Sequence, residues 1–137
     1  MSTEAYSAKA IAYHDQGYNC AQSVFLAFAA DMGITEEQAA HFMQGFGGGM
    51  GNLGEVCGVL SGAVAAYNML SDAVKPGDVE AKEALYARVK ALGETFRAEA
   101  GGTRCPELKD ADPEQKKIRC NGYMKLAARL VAEALGK

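Results

Sequence analysis

The chain has 137 residues, a formal net charge of -3, a pI near 5.4, and 49% hydrophobic residues with much alanine and no tryptophan. This length fits one domain, residues 1–137, with core enough to fold without a disulfide or a metal. The acidic balance gives no field for nucleic acid, no run reaches the ~18 apolar residues of a membrane span, and Met1 to Ser7 lack the basic start and apolar block of a secretory signal.

Alanine-rich composition with few β-branched runs predicts an all-α fold, a bundle of five or six helices. The first runs from about Thr3 to Gln16, with Tyr6, Ala10 and Tyr13 on one face and Gly17 as its stop. The second opens at Asn19, a good N-cap, which puts Cys20 in the first helical position and Ala21, Val24, Phe25, Phe28 and Met32 inward. Thr35 to Gln38 reads as a capping box for a short third helix ending near Met43. Six of the ten residues from Gly45 to Gly54 are glycine, which predicts a loop. The fourth helix follows, with Val56, Val59, Leu60, Ala63, Tyr67 and Leu70 inward and Cys57 in its first turn. Gly58 and Gly62 give it a small-residue face that allows close backbone approach, and a homodimer through that face is one expectation. Asp78 caps a fifth helix to about Ala100, carrying Leu85, Val89, Leu92 and Phe96 inward. From Thr103 to Arg119 the chain reads as polar and irregular, with one short turn at Asp112-Pro113-Glu114. The last helix is expected soon after Cys120, with Tyr123, Leu126, Ala127, Leu130, Val131 and Ala134 inward.

The chemistry rests on four cysteines. In a cytoplasmic setting, the expected one here, structural disulfides are rare and an even count points to redox or metal chemistry. Cys20, Cys57 and Cys120 are expected at or near helix N-termini, where the positive dipole end favours thiolate, and Arg104 and Arg119 precede Cys105 and Cys120. The glycine loop runs into Cys57. Amides of Gly47, Gly48, Gly49, Gly51 and Gly54 are candidates for a nest around an anion or a thiolate-ligated cluster. No nucleotide is expected, because the loop lacks a Gly-Lys-Ser/Thr ending and follows a helix. His14 and His41 read as ordinary helix residues, Glu55 as a carboxylate complementing a helix start, and Lys116, Lys117 and Arg119 as solvated surface. Tyr18 and Tyr123 are candidates to flank the cysteines. No Ser/His/Asp or paired-carboxylate motif is assigned.

Gly17-Tyr18-Asn19-Cys20-Ala21-Gln22, the glycine loop with Gly54 to Gly62, and then Cys105 and Cys120 resemble the redox-active family named for its pattern C_GCAxxG_C_C. Val56 stands where the family name has glycine and Gly58 where it has alanine, while Cys57 and Gly62 are in place. The resemblance implies a small helical protein with a redox role, and related domains form the iron–sulfur part of a multihaem cytochrome.

Three readings stay open. In the first, Cys20, Cys57, Cys105 and Cys120 ligate an iron–sulfur cluster for bacterial electron transfer or redox sensing with an unknown redox partner. Cys105-Pro106 suits it, although gaps of 37, 48 and 15 residues match no compact ferredoxin spacing. In the second, the same cysteines act as redox thiols in pairs, without the Cys-x-x-Cys of thioredoxin-like chemistry. In the third they hold structural zinc, which ranks last because the short Cys-x2–4-Cys spacing is missing and the domain has its own core.

Overall fold

In the computed structural model, which describes residues 2–137, the chain is all-α with eight helices among the described residues. Helix α1 is Thr3–Asp15 and α2 is Cys20–Leu26; α3 is Ala29–Met32 and α4 is Glu36–Met43. Then come α5, Gly58–Leu70, and α6, Val79–Ala100, followed by α7, Cys105–Leu108, and α8, Pro113–Ala134. The excess over five or six has two local causes. The expected second helix breaks at Phe28, whose backbone leaves the helical region (φ -108, ψ 2), so that α3 restarts as one turn closed by Gly33 in the left-handed region. The supposedly irregular stretch before Cys120 holds α7 and the first two turns of α8, capped by Asp112 with Pro113 at its start.

Caps set most boundaries. Asn19 and Thr35 each close a reciprocal box with the glutamine three residues on, so α2 and α4 begin where the sequence places them. Asp78 caps α6, and Gly101 ends it at φ 97. The turn Gly47–Met50 is helix-like in its hydrogen bonding only, since Gly48 and Gly49 have φ of 66 and 74, and α5 begins one residue after Cys57. Val56 is therefore outside that helix, 44% exposed, and paired with Arg104 in an isolated antiparallel bridge.

Helices α1, α2, α5 and α8 form the body, with α4 against α2. Tyr6 of α1 stacks on Phe28 with centroids 4.3 Å apart, and its hydroxyl donates to Asp31, which ties α1 to α3. The glycine face of α5 is consumed inside the chain. A Cβ at Gly62 would stand 2.5 Å from the Ala21 carbonyl oxygen, and one at Gly58 3.3 Å from the Ala21 nitrogen, so α5 lies backbone to backbone on α2. The face that motivated a dimer is thus occupied by the chain's own second helix. Helix α6 meets the body through buried Leu92 and Phe96, with Ala100 against the core and Glu99 paired with Arg129 of α8. Leu85 and Val89, expected inward, are half-buried because the helix outruns its neighbours there. No described helix is long and apolar enough to cross a membrane.

Candidate functional site

The close approach of α5 to α2 has a direct chemical consequence: it sets their N-terminal ends side by side. Cys20 is the first residue of α2 and Cys57 is the N-cap of α5. The Asn19 side chain, besides capping α2, donates to the Gln44 carbonyl at 3.1 Å and touches Gly47, fixing the helix start against the glycine segment. On the other side the Cys57 amide donates to the Thr103 carbonyl at 2.7 Å, and the Cys105 amide donates to the Glu55 carbonyl at 2.9 Å. This short ladder, with Val56 and Arg104 at its centre, brings the start of α7 beside the start of α5. Cys120 arrives differently. It lies two turns inside α8, not near a helix start, and faces Cys20.

All four cysteines line one cavity of about 460 Å³, walled further by Leu108, Pro113 and Tyr123. Tyr123 donates to the Leu108 carbonyl at 3.0 Å and so locks α7 to α8 across it. Tyr18 is not part of the lining; it stands edge-on to Tyr13. A larger groove of about 1110 Å³ along α1 and α8 contains no cysteine. The four cysteines are free thiols, and among the described residues no three or more His, Cys, Asp or Glu form a group that could hold a metal ion.

Acidity does not follow helix ends as expected. At Cys57 the Val59 and Leu60 amides do pull the thiol down, but burial outweighs them and its pKa is pushed up to about 11. Cys20 is raised, first by its hydrogen bond to Cys120, then by burial and by the other cysteines. Cys120 is the acidic one, lowered to about 7 by the hydrogen bond from Cys20 and then by Lys116, against burial. The opposite shifts favour a thiol at Cys20 beside a thiolate at Cys120.

The glycine segment also departs from expectation. Amides from Met50 to Glu55 donate to carbonyls of the segment itself, from Gly45 to Met50, so those of Gly51 and Gly54 are spent on its shape. Gly48 lines the cavity, whereas Gly47, Gly49, Gly51 and Gly54 stand outside the lining. Gly49 is needed sterically: at φ 74, a Cβ there would be 2.6 Å from the Glu55 nitrogen. Glu55 pairs with Arg104 at 3.8 Å. His41 is exposed on α4, while His14 lines the cavity with Nε2 3.9 Å from the Cys20 sulfur and a buried Nδ1 that has no partner. Burial lowers the His14 pKa first, and Lys117 and Lys116 add to that. His14 continues the buried stripe of Tyr6 and Ala10 at intervals of four, a signal available in the sequence. Lys109, which also lines the cavity, has no such signal.

Neither a curated protein nor a solved structure matches the chain. Residues 18–134, which include all four cysteines, match the family described as "Putative redox-active protein (C_GCAxxG_C_C)", and the chain belongs to that family.

Proposed function

We propose that the chain is a redox protein whose Cys20, Cys57, Cys105 and Cys120 hold an iron–sulfur centre for electron transfer or redox sensing. The observation that carries this reading is the convergence of four thiols, widely spaced in sequence, on one partly enclosed cavity. The donor set fits, because thiolates are what such centres take. It fits zinc less well. Four thiolates at about 2.3 Å from one tetrahedral ion stand about 3.8 Å apart, and no three donors are grouped for a single ion. When bound, the centre supplies one-electron chemistry. The chain's own residues hold the thiolates in place, exclude water with Leu108, Pro113 and Tyr123, and offset negative charge with Lys116. Protein purified without oxygen is expected to contain iron and labile sulfide and to absorb in the visible. A colourless, iron-free and sulfide-free protein would sink the reading.

A second reading rests on the placement of Cys20 and Cys120 in one cavity, each shifting the other's acidity. The Cys120 thiolate attacks an external disulfide and releases one of its sulfurs as thiolate, and Cys20, giving up its proton, then displaces the other, so one S–S bond forms, the external S–S bond is broken and two electrons pass to it. Mild oxidation of metal-free protein is then expected to remove two free thiols and to link peptides containing Cys20 and Cys120. An unchanged thiol count excludes it.

A further inference from the structure

The surface around the cavity mouth differs from the rest of the chain in charge and in polarity. Lys109, Lys116 and Lys117 line the opening and no carboxylate does, although the chain as a whole carries -3. Lys117 pairs with Asp15 at 3.6 Å, whereas Lys109 and Lys116 enter no ion pair among the described residues. Apart from Glu114, exposed in the first turn of α8, the nearby carboxylates are engaged elsewhere. Glu107 accepts from the Arg104 amide at 3.0 Å, Asp110 pairs with Arg119 at 3.3 Å, and Asp112 caps α8.

In the segment whose Gly48 and Asn52 line the cavity with these lysines, Met50, Leu53 and Val56 are 50%, 71% and 44% exposed, three large apolar side chains in the seven residues before Cys57. They are not on a loose coil. The segment's amides are internally bonded, and Met50 and Asn52 are held at φ of 71 and 64, which non-glycine residues seldom adopt. Gly54 packs on the Pro106 ring, and Gly48 and Asn52 share the cavity wall with the lysines. The lysines and the segment that carries these apolar residues therefore border the same cysteine cavity.

We propose that this face docks the acidic surface of a partner protein that exchanges electrons with the cysteine site. Only the partner's redox character rests on the function proposed above; the docking does not. An apolar patch with a charged rim is the ordinary anatomy of a protein interface, and electron-transfer contacts are small and steered by charge. The lysines are exposed and come from the end of α7 and from α8, which suits a broad anionic surface better than a small anion.

The test uses the full chain, reduced and metal-free, so that it is independent of any cluster. Cysteine reactivity is followed with a dianionic aromatic disulfide, 5,5'-dithiobis(2-nitrobenzoate), and with neutral 4,4'-dithiodipyridine. The dianion-to-neutral rate ratio is expected to fall about fivefold or more in the exposed-site variant Lys109→Glu/Lys116→Glu. It should fall similarly when salt shortens the screening length from about 20 Å to about 4 Å. An acidic peptide with leucines at helical spacing should protect the cysteines better than polyglutamate, and Met50→Ser/Leu53→Ser should remove that advantage. Polylysine should not protect. A rate ratio indifferent to the lysines, or equal protection by acidic and basic polymers, overturns the proposal. Protection in a protein that proves free of iron and sulfide would leave the docking face standing while the cluster reading fell.

Discussion

A sulfur's acidity here is decided by what touches it more than by where its helix begins. Cys57 has the helix-end amides, yet burial wins; Cys120, in mid-helix, has a donating thiol and a lysine, and it ionises first. In reduced, metal-free protein the alkylation rate of Cys120 is therefore expected to reach half its maximum near pH 7, because its reactive anion accumulates as pH rises through that value. Cys57 should lag until about pH 11. Replacing Cys20 by alanine deletes the donor and should move the Cys120 profile upward. Site-resolved alkylation by mass spectrometry across the pH range checks this, and a Cys120 profile unmoved by the substitution contradicts the assignment. The sequence carried only part of this chemistry: the Asn19 cap made the place of Cys20 legible, whereas the pairing of Cys20 with Cys120 depends on contacts between α2 and α8 that no local pattern encodes.

For the helices, legibility tracked the strength of local signals. Asn19, Thr35 and Asp78 are side-chain caps whose hydrogen bonds lie within three residues, so sequence suffices to place α2, α4 and α6. The break at Phe28 has no glycine or proline to announce it, and the early start of α8 is masked by the polar run from Glu114 to Arg119. Glycine-to-alanine changes separate packing from propensity. At Gly62 a methyl group meets the Ala21 carbonyl at 2.5 Å, so α5 must move off α2, at a cost of about 1–3 kcal/mol. At Gly93, inside α6, nothing lies within 4 Å, and the same change should stabilise by about 0.5–1 kcal/mol. Denaturant unfolding of the two variants is expected to give shifts of opposite sign; a Gly62 variant that is not destabilised would mean that the α2–α5 contact is looser than described. The Asn19→Ala variant adds a third case. It loses the cap, about 1 kcal/mol, and also the tie to Gln44, so Cys20 should become more reactive as stability falls.

Taken as a whole, the molecule sets its cysteine cavity at the margin of the core, with Cys57 and Leu108 belonging to both. The fully buried large side chains include Tyr6, Phe25, Phe28, Phe96, Met124 and Val131. Burying such residues contributes about 1.5–3 kcal/mol each, and none of these six lines the cysteine cavity. The cavity is closed instead by short elements, α7 and the glycine segment, joined to the body through the Cys57–Thr103 and Cys105–Glu55 hydrogen bonds and through Tyr123. A ligand bound there adds stability by mass action on a fold that already exists, unlike the structural zinc of a coreless peptide. Chelation and reduction should accordingly leave the far-UV helical signal of the protein nearly unchanged while lowering the midpoint of thermal unfolding. The released region should be local. Hydrogen exchange is expected to rise in residues 45–57 and 103–112, and to stay slow at the buried positions of α1, α2 and α8. Collapse of the whole helical signal on chelation would mean that the thiols' ligand holds the bundle together.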